Sequence, residues 1–75
     1  MTHEEIIKVI GNNIRKARKE KGLYQFELAD LVGVNRNSII IIESGKRHAN
    51  LWTLIAIAKG LEVEISELFK GVELR

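Results

Sequence analysis

The feature that most constrains the fold is the segment 25–42, in which two short apolar patterns lie on either side of Gly33. Ala29 lies four residues before this glycine, and Ile39 and Ile42 lie six and nine residues after it. Glycine readily adopts the positive φ that a tight turn between helices requires. The segment therefore predicts two short helices that pack on one core and are joined by a turn.

The length and composition restrict both the size of the fold and its chemistry. A chain of 75 residues has room for one small domain, so we expect residues 1–75 to form a single unit. The absence of cysteine excludes a disulfide framework and any thiolate metal site. Two histidines without clustered carboxylates supply neither a catalytic centre nor a metal site. We therefore expect no enzyme, no cofactor and no metal.

The apolar runs are too short for a membrane span. The longest run, Ile39 to Ile42, has four residues, whereas a transmembrane helix needs roughly 18. Glu4 and Glu5 precede the first apolar residues, and no basic region or cleavage site typical of a signal peptide is present. The sequence therefore predicts a cytoplasmic protein.

Charge is distributed unevenly along the chain, although the formal net charge is only +2. The segment 8–21 contains six basic residues and one acidic residue, Glu20. The segment 61–75 contains four glutamates and two basic residues. We expect a domain with a basic front and an acidic back.

Capping residues and glycines predict five helices. Thr2 and Glu5 form a capping box that begins the first helix, which we expect to end near Lys21 and Gly22. A break at Gly11 remains an alternative, because glycine costs about 1 kcal/mol relative to alanine in a helix. The second predicted helix lies between Tyr24 and Gly33, and the third runs from Asn35 to about Ser44. The fourth begins at Asn50, with an apolar stripe formed by Leu51, Leu54, Ile55 and Ala58. The fifth covers about 65–70.

The isoleucine run also has high β-propensity, so a strand is a second interpretation of this stretch. One isolated strand would have no pairing partner in this chain. The pattern therefore favours a helix.

Two short helices joined by a glycine-containing turn are the general signature of the helix-turn-helix unit. In addition to 25–33, the segments 14–23, 42–47, 54–61 and 65–69 resemble the Cro and lambda-repressor type of helix-turn-helix, also called the Xre family. The resemblance implies an all-α, compact five-helix DNA-binding domain. Its helix-turn-helix would cover about 25–44 and its dimerisation segment about 61–75. The short format is similar to controller proteins of restriction-modification systems and to small phage repressors.

The resemblance implies that the third helix enters the major groove of double-stranded DNA. The four residues expected to read bases are Arg36, Asn37, Ile40 and Ile41. Arginine pairs well with guanine, asparagine with adenine, and an isoleucine side chain with a thymine methyl group. A phosphate contact is the alternative for Arg36.

The resemblance also implies a set of backbone contacts. The candidate phosphate-binding residues are Gln25, Arg18, Tyr24, Ser44, Lys46, Arg47 and His48. For the loop 46–48, plain solvated surface is the alternative. Arg18 and Glu43 occupy positions at which the family commonly pairs the first helix with the third, so Glu43 is expected to be structural.

One short recognition helix contacts about half a turn of duplex, so we expect a homodimer on a palindromic operator. The candidate interface residues are Ile65, Phe69, Val72 and Leu74, with a frayed tail as the alternative. Such a protein would act as repressor or activator by blocking or recruiting polymerase, and would be associated with the nucleoid.

Several apolar residues depart from the family pattern, namely Phe26, Leu31, Ile40, Ile41 and Trp52. For Ile40 and Ile41, a contact other than bases is therefore an alternative. Clusters of this kind indicate partner sites when they are exposed. We expect Trp52 to be partly buried by packing, with stacking on nucleic acid as the alternative. Two other functions remain open: an antitoxin that binds both DNA and a toxin, and a coactivator-like module that binds proteins without reading bases.

Overall fold

Five α-helices make up the regular secondary structure of residues 1–74, the part of the chain that the computed structural model describes. They are α1 (His3–Glu20), α2 (Gln25–Val32), α3 (Arg36–Glu43), α4 (Leu51–Leu61) and α5 (Ile65–Leu68). The predicted all-α class is confirmed, and the isoleucine run is helical. Arg75, the last residue of the predicted dimerisation segment, lies outside the described residues.

The helices begin at the capping residues that the sequence indicates. Thr2 Oγ1 accepts a hydrogen bond from the backbone N–H of Glu5 at 3.1 Å, and the Glu5 carboxylate accepts one from the N–H of Thr2 at 2.7 Å. The hydrogen bond from Thr2 lowers the pKa of the Glu5 carboxyl. Asn35 and Asn50 cap α3 and α4 through their side-chain oxygens. These caps fix the start of α1, α3 and α4.

The turn between α2 and α3 depends on Gly33. This residue has φ of +82°, and its N–H donates to the carbonyl oxygen of Ala29 at 2.9 Å. The N–H of Val34 donates to the same oxygen at 3.1 Å. Because a side chain strains this left-handed conformation, glycine ends α2 and allows the chain to turn directly into α3.

The core draws on all five helices. Its fully buried large side chains are Ile14, Leu28, Ile39, Ile57 and Leu68. The apolar stripe predicted for α4 is partly wrong, because Leu51 and Ile55 are exposed whereas Leu54, Ile57, Ala58 and Leu61 are buried. The neighbouring helices cover a face of α4 that is rotated relative to the predicted one.

Gly11 lies inside α1, which is continuous, so the alternative of a break there is wrong. The residue is buried where α1 crosses the end of α3. A Cβ atom at this position would lie 3.0 Å from the carbonyl oxygen of Glu43 and closer still to that of Ile42. Glycine is therefore required by the close approach of two helices, and not by a turn.

The C-terminal segment is held to α1 by Asn13, whose side-chain Nδ2 donates to the carbonyl oxygens of Leu68 and Lys70 at 3.0 and 2.8 Å. Helix α5 ends at Leu68, two residues before the predicted end. None of the helices in residues 1–74 combines the length and the hydropathy of a membrane-spanning segment.

Candidate nucleic-acid interface

Helix α3 is fixed to the core by one face and open on the other. Ile39 and Ile42 are buried, whereas Arg36 and Asn37 are exposed at the first turn. The cap at Asn35 sets the start of the helix, so both exposed side chains belong to a rigid element. Their polar ends are accessible to a ligand with a groove that can receive the helix.

Ile40 and Ile41 continue this open face by one helical turn. Ile40 is 37% exposed, and Ile41 is half-buried. Ile41 lines an open depression together with Arg47 and His48 from the following loop and Asn50 and Thr53 from the start of α4. The structure thus brings predicted base-reading and phosphate-binding residues together on one surface.

Arg18 and Glu43 form a buried ion pair that fastens α3 to α1. The Arg18 Nε atom lies 2.7 Å from Glu43 Oε2, and its second terminal nitrogen donates to Oε1 at 3.0 Å. The remaining terminal nitrogen donates to the carbonyl oxygen of Leu23 at 2.7 Å. Because the guanidinium is buried and committed to these partners, the prediction that Arg18 contacts phosphate is wrong.

Gln25 adds α2 to this network, since its Nε2 donates to Glu43 Oε1 at 3.2 Å. Its side-chain amide is half-buried, and the second N–H of the same amide remains for another acceptor. Sequence reasoning missed the contact by which Glu43 orients this glutamine. The contact depends on the position of Gln25 and Glu43 beside Arg18, and only the tertiary structure shows this position.

Tyr24 precedes α2 and is exposed, with its ring stacked on Phe26 at a centroid distance of 5.8 Å. Its phenol makes no cap hydrogen bond, whereas its backbone N–H donates to the Glu27 carboxylate at 2.8 Å. The phenol is too long to cap α2 in the way that a serine or threonine side chain would. The hydroxyl is available for other contacts.

The loop after α3 is basic and exposed. Lys46, Arg47 and His48 are all solvent-accessible. Between Gly33 and Asn50 the single acidic residue is Glu43, which is buried against Arg18. The segment between Gly33 and Asn50 therefore carries exposed positive charge and no exposed carboxylate of its own, which suits a polyanion.

Ser44 is the C-cap of α3 and uses its hydroxyl within the chain. Its Oγ donates to the carbonyl oxygen of Ile41 at 2.6 Å and accepts from the N–H of Lys46 at 3.3 Å. The single hydroxyl proton is therefore committed. A direct hydrogen bond from Ser44 to phosphate, as predicted, disagrees with this arrangement.

The predicted dimer residues do not form one uniform surface. Ile65 is half-buried and packs against the core, and its assignment to an interface stays a prediction. Phe69 and Leu74 are exposed, and Val72 is half-buried. The last three remain available to a second molecule.

The expected partial burial of Trp52 is wrong, because its side chain is 76% exposed. Phe26 and Leu31 are exposed as well, in agreement with the excess apolar surface predicted for them.

No group of three or more metal-ligating side chains that could hold a metal ion occurs among residues 1–74.

Comparisons with known proteins agree with this geometry. A family profile described as a helix-turn-helix domain matches residues 11–74. Control protein C.MunI from Mycoplasma sp. is 41% identical over 64 residues, which cover 84% of this chain and 86% of that protein.

Two solved structures are also similar to this fold. The restriction-modification controller protein C.AhdI from Aeromonas hydrophila has a TM-score of 0.81 at 35% identity, over 84% of this chain and 96% of that one. The P22 c2 repressor in complex with a synthetic operator has a TM-score of 0.77 at 32% identity, again over 84% and 96% of the two chains. The chain therefore belongs to the helix-turn-helix domain family, whose members are DNA-binding regulators and not enzymes.

Proposed function

We propose that this protein is a transcription regulator that binds a specific double-stranded DNA operator as a homodimer, in the manner of a restriction-modification controller or small repressor. The observation that carries the proposal is the exposed first turn of α3, held on a rigid core beside a basic loop. A rigid helix with an open polar end fits the major groove.

Arg36 and Asn37 are the base-reading residues at this end of α3. A guanidinium donates two parallel hydrogen bonds to guanine, and a carboxamide both donates to and accepts from adenine. Each such pair discriminates against the wrong base by about 1–3 kcal/mol. Their exposure leaves both side chains free to do so.

Backbone contacts come from the two flanks of α3. Gln25 offers its second amide N–H and Tyr24 its hydroxyl on one flank, and Lys46, Arg47 and His48 follow α3 on the other. Contacts of this kind set affinity and register without reading sequence.

The dimer follows from the length of the recognition helix. Helix α3 has eight residues and is about 12 Å long, which matches only about four base pairs. Two copies on half-sites about 34 Å apart would read twice as many bases on an approximately palindromic operator. Phe69, Val72 and Leu74 are the proposed interface. Such a dimer in the cytoplasm would act by blocking or recruiting polymerase.

The test compares two alanine variants of the full chain on DNA selected from a randomised pool. We expect Arg36→Ala to lose discrimination at one operator position, worth about 1–3 kcal/mol. We expect Lys46→Ala to weaken specific and random DNA alike and to reduce the slope of log K against log salt by about 1 per half-site. Fluorescence anisotropy over a salt series measures both effects.

Equal losses on specific and random DNA for Arg36→Ala would contradict its base-reading role. Failure of the wild-type chain to enrich any sequence at low ionic strength would contradict the proposed function as a whole. Arg15→Ala serves as a control, because Arg15 is an exposed basic residue of α1 outside the proposed interface.

The exposed Phe26, Leu31 and Trp52 favour a second candidate, an antitoxin that holds a protein partner as well as DNA. This function predicts that a triple variant, with serine at these three positions, keeps operator affinity but loses a small protein that co-purifies with the wild type. Absence of any stoichiometric partner from the wild-type protein in its native host would argue against it.

A further inference from the structure

The loop 46–49, which follows the C-cap of α3, carries three of the candidate phosphate-binding residues. Within residues 1–74, no backbone–backbone hydrogen bond involves any of its four residues. The N–H of Lys46 donates to the Ser44 hydroxyl at 3.3 Å, which is a long contact to a residue nearby in the chain. The conformation of this loop therefore depends on packing against other segments.

Both ends of the loop meet the first two turns of α1, residues 3–10. At the start of the loop, Gly45 lies directly against Lys8, because a Cβ atom at Gly45 would be 2.7 Å from Lys8 Cγ and 2.9 Å from Lys8 Cα. At its end, Ala49 lines an open depression together with three isoleucines of α1, namely Ile6, Ile7 and Ile10. The loop is thus placed by α1 at two points.

The core does not account for two of these isoleucines. Ile10 packs against the core cluster, whereas Ile6 and Ile7 are half-buried outside it. The capping box of Thr2 and Glu5 completes the first turn of α1, so both side chains extend from a fixed backbone. The depression beside the loop is the place where Ile6 and Ile7 meet the rest of the molecule.

We infer that residues 3–10 of α1 are a positioning element, which holds the loop 46–49 in the conformation in which Lys46 and Arg47 reach the DNA backbone. The inference rests on the proposed function and adds residues that do not themselves contact DNA. They precede residue 11, at which the matched helix-turn-helix domain begins.

The advantage of an ordered loop is entropic. A loop that is already fixed loses little conformational freedom when its cations meet phosphate, whereas a mobile loop must be ordered at that moment. Ordering the backbone of one further residue weakens binding about tenfold. We therefore expect about a tenfold loss per half-site when the positioning contact is removed.

The test variant is Ile6→Ala with Ile7→Ala, which removes the apolar contact, changes no charge and retains good helix formers. Val9→Ala is the matched control on the same turns. A Cβ atom at Gly71 would lie 3.8 Å from Val9 Cγ1, so Val9 faces the C-terminal segment and not the loop. Far-UV circular dichroism verifies that each full-length variant is folded.

The first measurement uses the free protein and is independent of DNA. Relaxation of ¹⁵N nuclei gives the order parameters of the backbone amides of Arg47 and His48. We expect values of about 0.85 in the wild type and in Val9→Ala, and below about 0.6 in the double variant. A contact that only stabilised the fold would not lower these two values selectively.

The second measurement is the dissociation constant for a selected operator and for random DNA, by fluorescence anisotropy. The double isoleucine variant should bind both about tenfold more weakly per half-site, because phosphate contacts carry no sequence information. Lys46→Ala should cost less affinity in this variant than in the wild type, since the two changes act on the same loop. The ratio of specific to random affinity should be retained.

A second variant guards against a folding defect in the first. Thr2→Ala removes the capping box with Glu5 and loosens the first turn of α1, while every side chain that faces the loop stays in place. It should lower the same order parameters by a smaller amount. Rigid amides at Arg47 and His48 in both variants would overturn the inference, whatever the affinity for DNA.

A mobile loop with unchanged affinity for DNA would also overturn it, and so would a full effect of Lys46→Ala in the double isoleucine variant. Both results would leave the proposed function intact. If the wild type enriches no sequence and binds no duplex, the proposed function fails together with the role in DNA binding. The relaxation data would then still decide whether residues 3–10 order the loop.

Discussion

At the scale of single residues, Arg18 and Glu43 form a charged pair that holds α3 in its orientation against α1. Both are buried, and Glu43 also accepts from Gln25, so one carboxylate joins α1, α2 and α3. A buried charge that loses its partner is strongly destabilising, whereas replacing both partners by apolar groups often is not. The pair therefore specifies where α3 sits.

We expect Arg18→Met to lower the free energy of unfolding by about 3–5 kcal/mol, because it leaves the Glu43 carboxylate buried and unpaired. The double variant Arg18→Met with Glu43→Leu should recover part of this loss. Denaturant titration followed by circular dichroism measures both values.

Arg15→Met is the matched control, because Arg15 is exposed on the same helix and should change stability by no more than about 0.5 kcal/mol. A similar loss for the Arg15 and Arg18 variants would refute the role of the buried pair.

At the scale of the helix, we expect the substitution of glycine by alanine to have opposite effects on stability at Gly11 and Gly60. Both lie inside helices, where alanine is intrinsically favoured over glycine by about 1 kcal/mol. Gly11→Ala should nevertheless destabilise the protein by about 1–3 kcal/mol, because the added methyl group would overlap the carbonyl oxygens at the end of α3. Thermal unfolding in parallel with the wild type measures the change.

Gly60→Ala provides the comparison for this helix crossing. A Cβ at Gly60 would lie 3.5 Å from the Cβ of Leu31, an ordinary van der Waals distance, so this variant should be as stable as the wild type or more stable. A stabilising effect of Gly11→Ala would contradict the close approach of α1 and α3.

At the scale of the whole molecule, the domain measures 35 × 22 × 20 Å, and the C-terminal segment lies beside α1 through Asn13. The exposed Phe69 and Leu74 lie in this segment. If they form the dimer interface, their burial supplies the apolar area that joins two copies.

We therefore expect the double variant Phe69→Ser with Leu74→Ser to be monomeric under conditions in which the wild type is dimeric, and to lose affinity for a two-half-site operator. Sedimentation equilibrium gives the mass, and Leu31→Ser is a control for the loss of an exposed apolar residue elsewhere. A variant that remains dimeric would place the interface on another surface.

Local chemistry determined much of this fold independently of tertiary contacts. The capping box of Thr2 and Glu5, the caps at Asn35 and Asn50 and the turn at Gly33 depend on atoms within a few residues of one another. Such hydrogen bonds and backbone preferences are encoded in short stretches of sequence. The helix positions were predictable for this reason, whereas the outward placement of Arg36 and Asn37 was expected from the family resemblance.

The tertiary structure alone decided which face of each helix is covered and which polar groups find partners. It exposed Leu51, Ile55 and Trp52, buried Gly11 at a crossing and committed Arg18 to Glu43 and Leu23. These outcomes depend on residues far apart in the chain, because burial is the sum of contacts from several helices at once. A sequence gives the period of an apolar face, and the packing of the other helices sets the direction in which that face points.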